Sequence, residues 1–141
     1  MRVSHLLAEK GREVWSIEAD QAVLAAIQVM ADRHVGALPV LRDGELAGIV
    51  SERDYARKVV LLGRSSSDTR VAQIMSSPVR TVASDATVQY CMELMTEHRI
   101  RHLPVVDSGQ LVGMISIGDC VRAVIEDQAE TIRHLERFIS S

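Results

Sequence analysis

The chain contains one small unit twice. Sliding the sequence by 65 positions lays residues 16–57 on 81–122 without a gap, and 12 of those 42 positions are identical. Ordinary composition would give about three such matches by chance. The shared positions are Asp20/Asp85, Val23/Val88, Met30/Met95, "LPV" at 38–40 and 103–105, then Gly44/Gly109, Leu46/Leu111, Gly48/Gly113, Ser51/Ser116, Asp54/Asp119 and Arg57/Arg122. A unit of under 60 residues buries little core by itself. The duplication therefore predicts two copies packed sheet against sheet as one globule.

Each unit reads as β-α-β-β-α, an α+β fold. A short extended piece opens it ("EVWSI", "PVRTV"), and Asp20 and Asp85, with Ser84 as an alternative, are placed to cap the helix that follows. Val23, Ile27 and Met30 in one copy, and Val88, Met92 and Met95 in the other, recur at helical spacing. "ALPVL" and "HLPVV" read as strands, with Pro39 and Pro104 near their starts. Gly in "RDGE" and "DSGQ" predicts hairpins into "LAGIVS" and "LVGMIS", and a second helix follows each. The first repeat with its N-terminal segment and linker is expected over 1–70, and the second over 71–127. A helical extension is expected over 128–141.

Composition removes several classes. With 47% hydrophobic and 25% charged residues the chain is an ordinary globular sequence, and its net charge of −3 gives no global attraction to nucleic acid or anionic membrane. Four aromatic residues, Trp15, Tyr55, Tyr90 and Phe138, are too few for base-stacking platforms. Cys91 and Cys120 have no metal or redox spacing and read as buried apolar groups, not a disulfide. "MRVSHLLAEKG" carries no signal-peptide pattern and no apolar run reaches membrane length, so a cytoplasmic location is expected.

"EHRIRHLPV", residues 97–105, sets Arg99, Arg101 and His102 directly before a core strand. At the corresponding places the first copy has Gly36 and Ala37 instead of Arg101 and His102. Such a cluster asks for a negatively charged partner. The alternative is a helix end whose cations offset the helix dipole, which suits Arg99, and His98 with it, better than Arg101. His98 and His102 also stand at the i,i+4 spacing of some zinc helices, but a helix ending near Arg99 would separate them and no further ligands complete a set. Ser51 and Ser116 have no histidine partner in their repeats, so no catalytic pairing is expected.

"VGALPVLRDGELAGIVSERD" (35–54) and "IRHLPVVDSGQLVGMISIGD" (100–119) resemble a cystathionine-β-synthase-type (CBS) domain pair, or Bateman module, and the likeness spans nearly the whole chain. The resemblance implies two β-α-β-β-α repeats packed about a pseudo-twofold axis, a regulatory, non-catalytic module, often a homodimer, that binds adenine-containing nucleotides in clefts between the repeats.

In each Gly-h-h-Ser-x-x-Asp element (Gly48–Asp54, Gly113–Asp119) the carboxylate could accept a ribose diol, and the serine with nearby amides could meet phosphate. Equally, Ser51/Asp54 and Ser116/Asp119 could only cap a helix; the resemblance favours the ligand role. It also implies that the "LPV" strands, with Pro39 and Pro104, border the purine, and adds Thr81. Arg101 and His102 are then expected on the phosphates, helped by Arg53 and by Arg57 or Lys58, while Gly36 and Ala37 leave room for a less charged group. AMP, ADP, ATP and NAD(H) are the ligands implied; no cofactor is required. With no GxGxxG loop, dinucleotide binding would not be of Rossmann type.

Val121, Ile125, Gln128, Ile132, Leu135 and Ile139 are spaced 4, 3, 4, 3, 4. This is a heptad-like seam that either lies on its own domain or pairs with a partner subunit.

Overall fold

A computed structural model describes residues 1–11 and 13–140. In chain order the elements are α1 (Val3–Lys10), β1 (Ile17–Glu18), α2 (Val23–Arg33), β2 (Ala37–Arg42), β3 (Glu45–Ser51), α3 (Glu52–Tyr55), α4 (Val71–Ile74), α5 (Val88–His98), β4 (His102–Asp107), β5 (Gln110–Ser116) and α6 (Ile117–Ser140). The α3 helix runs on through a π-helical turn, Ala56–Val60.

The 65-residue repeat governs the backbone closely. β2 pairs antiparallel with β3 and β4 with β5, and each hairpin carries a register shift at the same place, Val40/Leu41 and Val105/Val106. Both hairpin turns have two central residues at positive φ, Asp43–Gly44 (53° and 80°) and Ser108–Gly109 (50° and 77°). That is the type I′ geometry, whose twist matches the strands it joins. The opening strand is shorter than the sequence suggests: β1 pairs parallel with β2 over two residues, and in the second copy only the Val82–Val105 bridge remains. α2 and α5 both end in a left-handed residue, His34 (φ 55°) and Arg99 (φ 54°), which turns the chain into the next strand.

Two expectations are corrected. The helices are not capped by Asp20, Ser84 or Asp85; Ala22 and Thr87 stand at the caps, and only Thr87 uses its side chain, accepting from the Tyr90 amide. The free amides at these helix starts are met instead by backbone carbonyls of distant segments: Val23 N donates to Thr69 O and Val88 N to Met1 O. Nor, among the described residues, is there one core shared between the two sheets. The buried residues form two clusters, one built on Val23, Met30, Leu38, Val40 and Val50, the other on Val88, Met95, Leu103, Val105 and Ile115.

An exchange of short helices joins the two clusters. α1 precedes the first repeat in sequence, yet Val3, Leu6 and Leu7 are buried in the second core, while Val71 and Ile74 of α4 are buried in the first. The exchange is reciprocal down to single bonds. Val3 N donates to Ala86 O and Val71 N to Gln21 O, and the Arg2 and Arg70 guanidinium groups donate to the carbonyls of Asp85 and Asp20. Gly48 and Gly113 make room for it: a Cβ at Gly113 would stand 2.8 Å from Leu7, and one at Gly48 2.7 Å from the Ser76 carbonyl.

Candidate functional site

Each Ser-x-x-Asp element lies where a strand ends and a helix begins. Ser51 ends β3, its hydroxyl accepts the Asp54 amide at 3.2 Å, and Asp54 Oδ2 accepts the Ser51 amide at 2.9 Å. The second copy repeats this at 3.1 and 2.9 Å with Ser116 and Asp119. The capping role is thus present in both. The cations differ: Lys58 Nζ lies 3.1 Å from the outer oxygen, Asp54 Oδ1, whereas Lys10 Nζ lies 2.6 Å from Asp119 Oδ2, the oxygen that also accepts the Ser116 amide, and Arg122 stands 3.7 Å from Asp119 Oδ1.

Two cavities of similar size flank these elements. The first, about 700 Å³, is lined by Ser51, Arg53, Asp54 and Arg57 of the first repeat together with Arg101 and His102 of the second, and by Gly36 and Ala37. Lys58, Arg80 and Arg99 also line it. Six permanent cations (Arg53, Arg57, Lys58, Arg80, Arg99, Arg101) thus face two carboxylates, Glu52 and Asp54. The second cavity, about 740 Å³, joins Ser116 and Asp119 to Gly36, Ala37 and His102, with Lys10, Trp15 and Arg122 completing its wall. Its cations, Lys10 and Arg122, are balanced by Glu13 and Asp119. Gly36, Ala37 and His102 line both cavities, so a single layer of chain separates them.

Three expected positions lie outside both linings. Pro39 and Pro104 are buried in mid-strand, opposite Ile49 and Met114, and Thr81 is an exposed residue beside the Val82 bridge. Conversely, sequence reasoning passed over Lys10, Trp15 and Arg80, which come from segments outside the aligned repeat. One signal pointed to the first of these segments: "RVSHLL" at 2–7 echoes "RVAQIM" at 70–75. The i,i+4 histidine spacing is not a helical one, because α5 stops at His98 and β4 starts at His102.

Electrostatics separate the cavities further. Burial pulls the His102 imidazole below its usual range; Lys10 and Arg101 add to the fall and Asp119 opposes it, so His102 is neutral at pH 7. Burial works to raise the Asp119 carboxyl, but the Lys10 and Ser116 hydrogen bonds outweigh it and hold the group below the ordinary aspartate value. Cys91 and Cys120 are fully buried, and burial pushes both thiols up to about 11, so neither is an activated nucleophile.

The CBS domain model matches residues 10–61 and 71–126, the two repeats. The chain belongs to the CBS-domain family. It is 40% identical, over 97% of its length and 71% of the relative's, to the CBS domain-containing protein CBSX3, mitochondrial, of Arabidopsis thaliana. A solved CBS-domain protein from Burkholderia ambifaria superposes with a TM-score of 0.87 at 50% identity, covering 91% of this chain and 96% of that one. A more distant CBS pair, solved in complex with 5′-methylthioadenosine and S-adenosyl-L-methionine, shares the fold at a TM-score of 0.80 and 22% identity, over 90% and 98% of the two chains. The CBS pair is in general a regulatory module. Among the described residues no helix is long and apolar enough to cross a membrane.

Proposed function

We propose that this CBS pair is a non-catalytic sensor of an adenine nucleotide or NAD-type ligand, with the phosphates held in the first cavity. The observation that carries the reading is the meeting of Arg53, Arg57, Lys58 and Arg80 with Arg99 and Arg101 around Ser51 and Asp54. Guanidinium groups offer planar forks suited to phosphate oxygens, and several of them on one concave surface favour two or three phosphates over one. Asp54 is the candidate for the ribose diol. The second cavity, with balanced charge and Trp15 in its wall, suits a nucleoside or another weakly charged adenosine derivative.

Self-association is part of the same reading. Val60 and Ile125 are equivalent under the 65-residue shift and are 56% and 59% exposed; Leu24, Leu61, Tyr90 and Val121 are exposed as well. Apolar exposure repeated on both units suits a homodimer. We place the protein in the cytoplasm, which cell fractionation would test against the organelle named for its Arabidopsis relative.

Melting temperature in the presence of AMP, ADP, ATP, NAD and NADH, with adenosine as the phosphate-free control, tests the function. A ligand that binds only the folded state raises it. The reading requires a larger shift with a phosphorylated ligand than with adenosine. No shift from any of them, in protein shown to be free of carried-over nucleotide, would leave a constitutive interaction scaffold instead.

A further inference from the structure

The inner face of α6, through Ile117, Cys120, Ala123 and Val124, packs on the second core, and beyond Ala123 none of its described residues is buried. The seam nevertheless continues along the helix, with Val121 41%, Ile125 59%, Ile132 55%, Leu135 57% and Ile139 80% exposed. The part from Gln128 to Ser140 projects about 20 Å at 1.5 Å per residue. As the extension of a packed helix this stretch buries none of its described residues, and its exposed apolar seam is a face for a cover. The opposite face mixes Glu126, Asp127 and Glu130 with Arg133 and Arg137, which gives no net attraction to an anionic lipid surface.

We propose that the cover is α6 of a second copy, lying antiparallel and centred near residue 130. The inference rests on the self-association proposed above and adds its geometry. One flank of the seam carries Arg122, Ala129 and Glu136, and the other Val124, Thr131 and Phe138. In a parallel pair each flank meets the opposite flank of the other helix, and Arg122 and Glu136 both face uncharged residues. In an antiparallel pair each flank meets its own copy. Arg122 then stands opposite Glu136 of the second copy, twice over by symmetry, and Ala129 and Thr131 each meet themselves. The seam closes in the same register, Val121 on Ile139, Ile125 on Leu135 and Gln128 on Ile132. Flanking charges of this kind set helix orientation. Arg122 touches Asp119 at 3.7 Å with its side chain 69% exposed, so its guanidinium has donors to offer outward.

Cysteine placement in the full chain distinguishes the orientations, since Cys91 and Cys120 are fully buried and do not compete. Under oxidation or a short bis-maleimide, Thr131→Cys is expected to give a covalent dimer and Leu135→Cys is not, because antiparallel helices hold the two copies of residue 135 about 15 Å apart. Charge reversal is the second measurement. Arg122→Glu or Glu136→Arg alone should weaken the dimer roughly tenfold in sedimentation, and the double variant should restore it. Cross-linking through residue 135 but not 131, or a double variant weaker than either single, would overturn the antiparallel arrangement. Failure of both cross-links in a protein that still sediments as a dimer would overturn it too while leaving self-association intact. A monomeric wild type would sink both.

Discussion

The two cavities are built from one repeated frame, yet one ends rich in cations and the other balanced. Both place a Ser-x-x-Asp turn at a strand end, with bonds that agree within 0.1 Å (3.2 against 3.1 Å, and 2.9 Å in both). Yet the first holds six permanent cations against two carboxylates, and the second two against two. The difference arises because each cavity takes its wall from both repeats. Arg53, Lys58, Arg80, Arg99 and Arg101 line the first, where the equivalent positions of the other copy are Gly118, Ala123, Trp15, His34 and Gly36. A duplicated fold thus gains two unequal sites by changing single residues in the helix after β3, in the segment before Val82 and in the turn before β4.

The sharpest way to break the comparison is to remove the charge that defines it. Arg101→Ala should weaken ATP binding roughly ten- to a hundredfold, the range of a charge-assisted hydrogen bond at about 1.5–3 kcal/mol, and leave adenosine binding within a few-fold. An equal loss for both ligands would show that Arg101 shapes the fold and does not read phosphate. The carboxylates come next. Asp54→Ala should cost ATP, and Asp119→Ala adenosine, about tenfold each, so a Kd measurement in which both ligands answer to the same aspartate would collapse two sites into one.

Acid provides a third test. The Asp119 carboxyl titrates below its unfolded value, so its stabilisation is complete above the unfolded pKa and is lost as pH falls through the lower folded one. His102 is likewise lowered, and its contribution begins to fall as pH drops below the usual histidine value of about 6.5, where the unfolded chain takes up a proton first. A phosphate beside His102 favours the protonated ring, so ATP affinity should rise several-fold between pH 7 and 6, with proton uptake visible in buffers of different ionisation enthalpy. His102→Gln should remove that rise; a slope unchanged in the variant would assign the proton elsewhere. The smallest effect is at Lys10. Its ammonium sits 2.6 Å from Asp119 Oδ2 and draws on the carboxylate a ribose hydroxyl would also use, so Lys10→Met should tighten adenosine two- to fivefold and leave ATP unchanged. Looser adenosine binding would make Lys10 part of the site and not a competitor for it.

Much of this was legible in the residues because the decisive signals are local. Asp43–Gly44 and Ser108–Gly109 specify their turns by the positive φ they must adopt, and the "LPV" strands pair from there. Arg101 and His102 stood out against Gly36 and Ala37 as soon as the copies were aligned. What the sequence hid is long-range. Nothing near Asp20 or Asp85 says that carbonyls of Thr69 and Met1 will meet the first amides of these helices. Lys10 is 109 positions from the carboxylate it neutralises, and it arrives there because Leu7, three residues earlier, is buried against Gly113 in the other repeat's core. The π-helical turn after Tyr55 was invisible for the same reason: Val59 must stay in the first core while Arg57 and Lys58 line the cavity.

Calorimetric titration of ATP and of adenosine at low and at physiological salt tests the central claim most directly. If the first cavity reads phosphate through its cations, ATP binds far more tightly than adenosine, and its affinity falls as salt rises while that of adenosine barely moves. Equal affinities, or an ATP affinity indifferent to salt, would contradict the account.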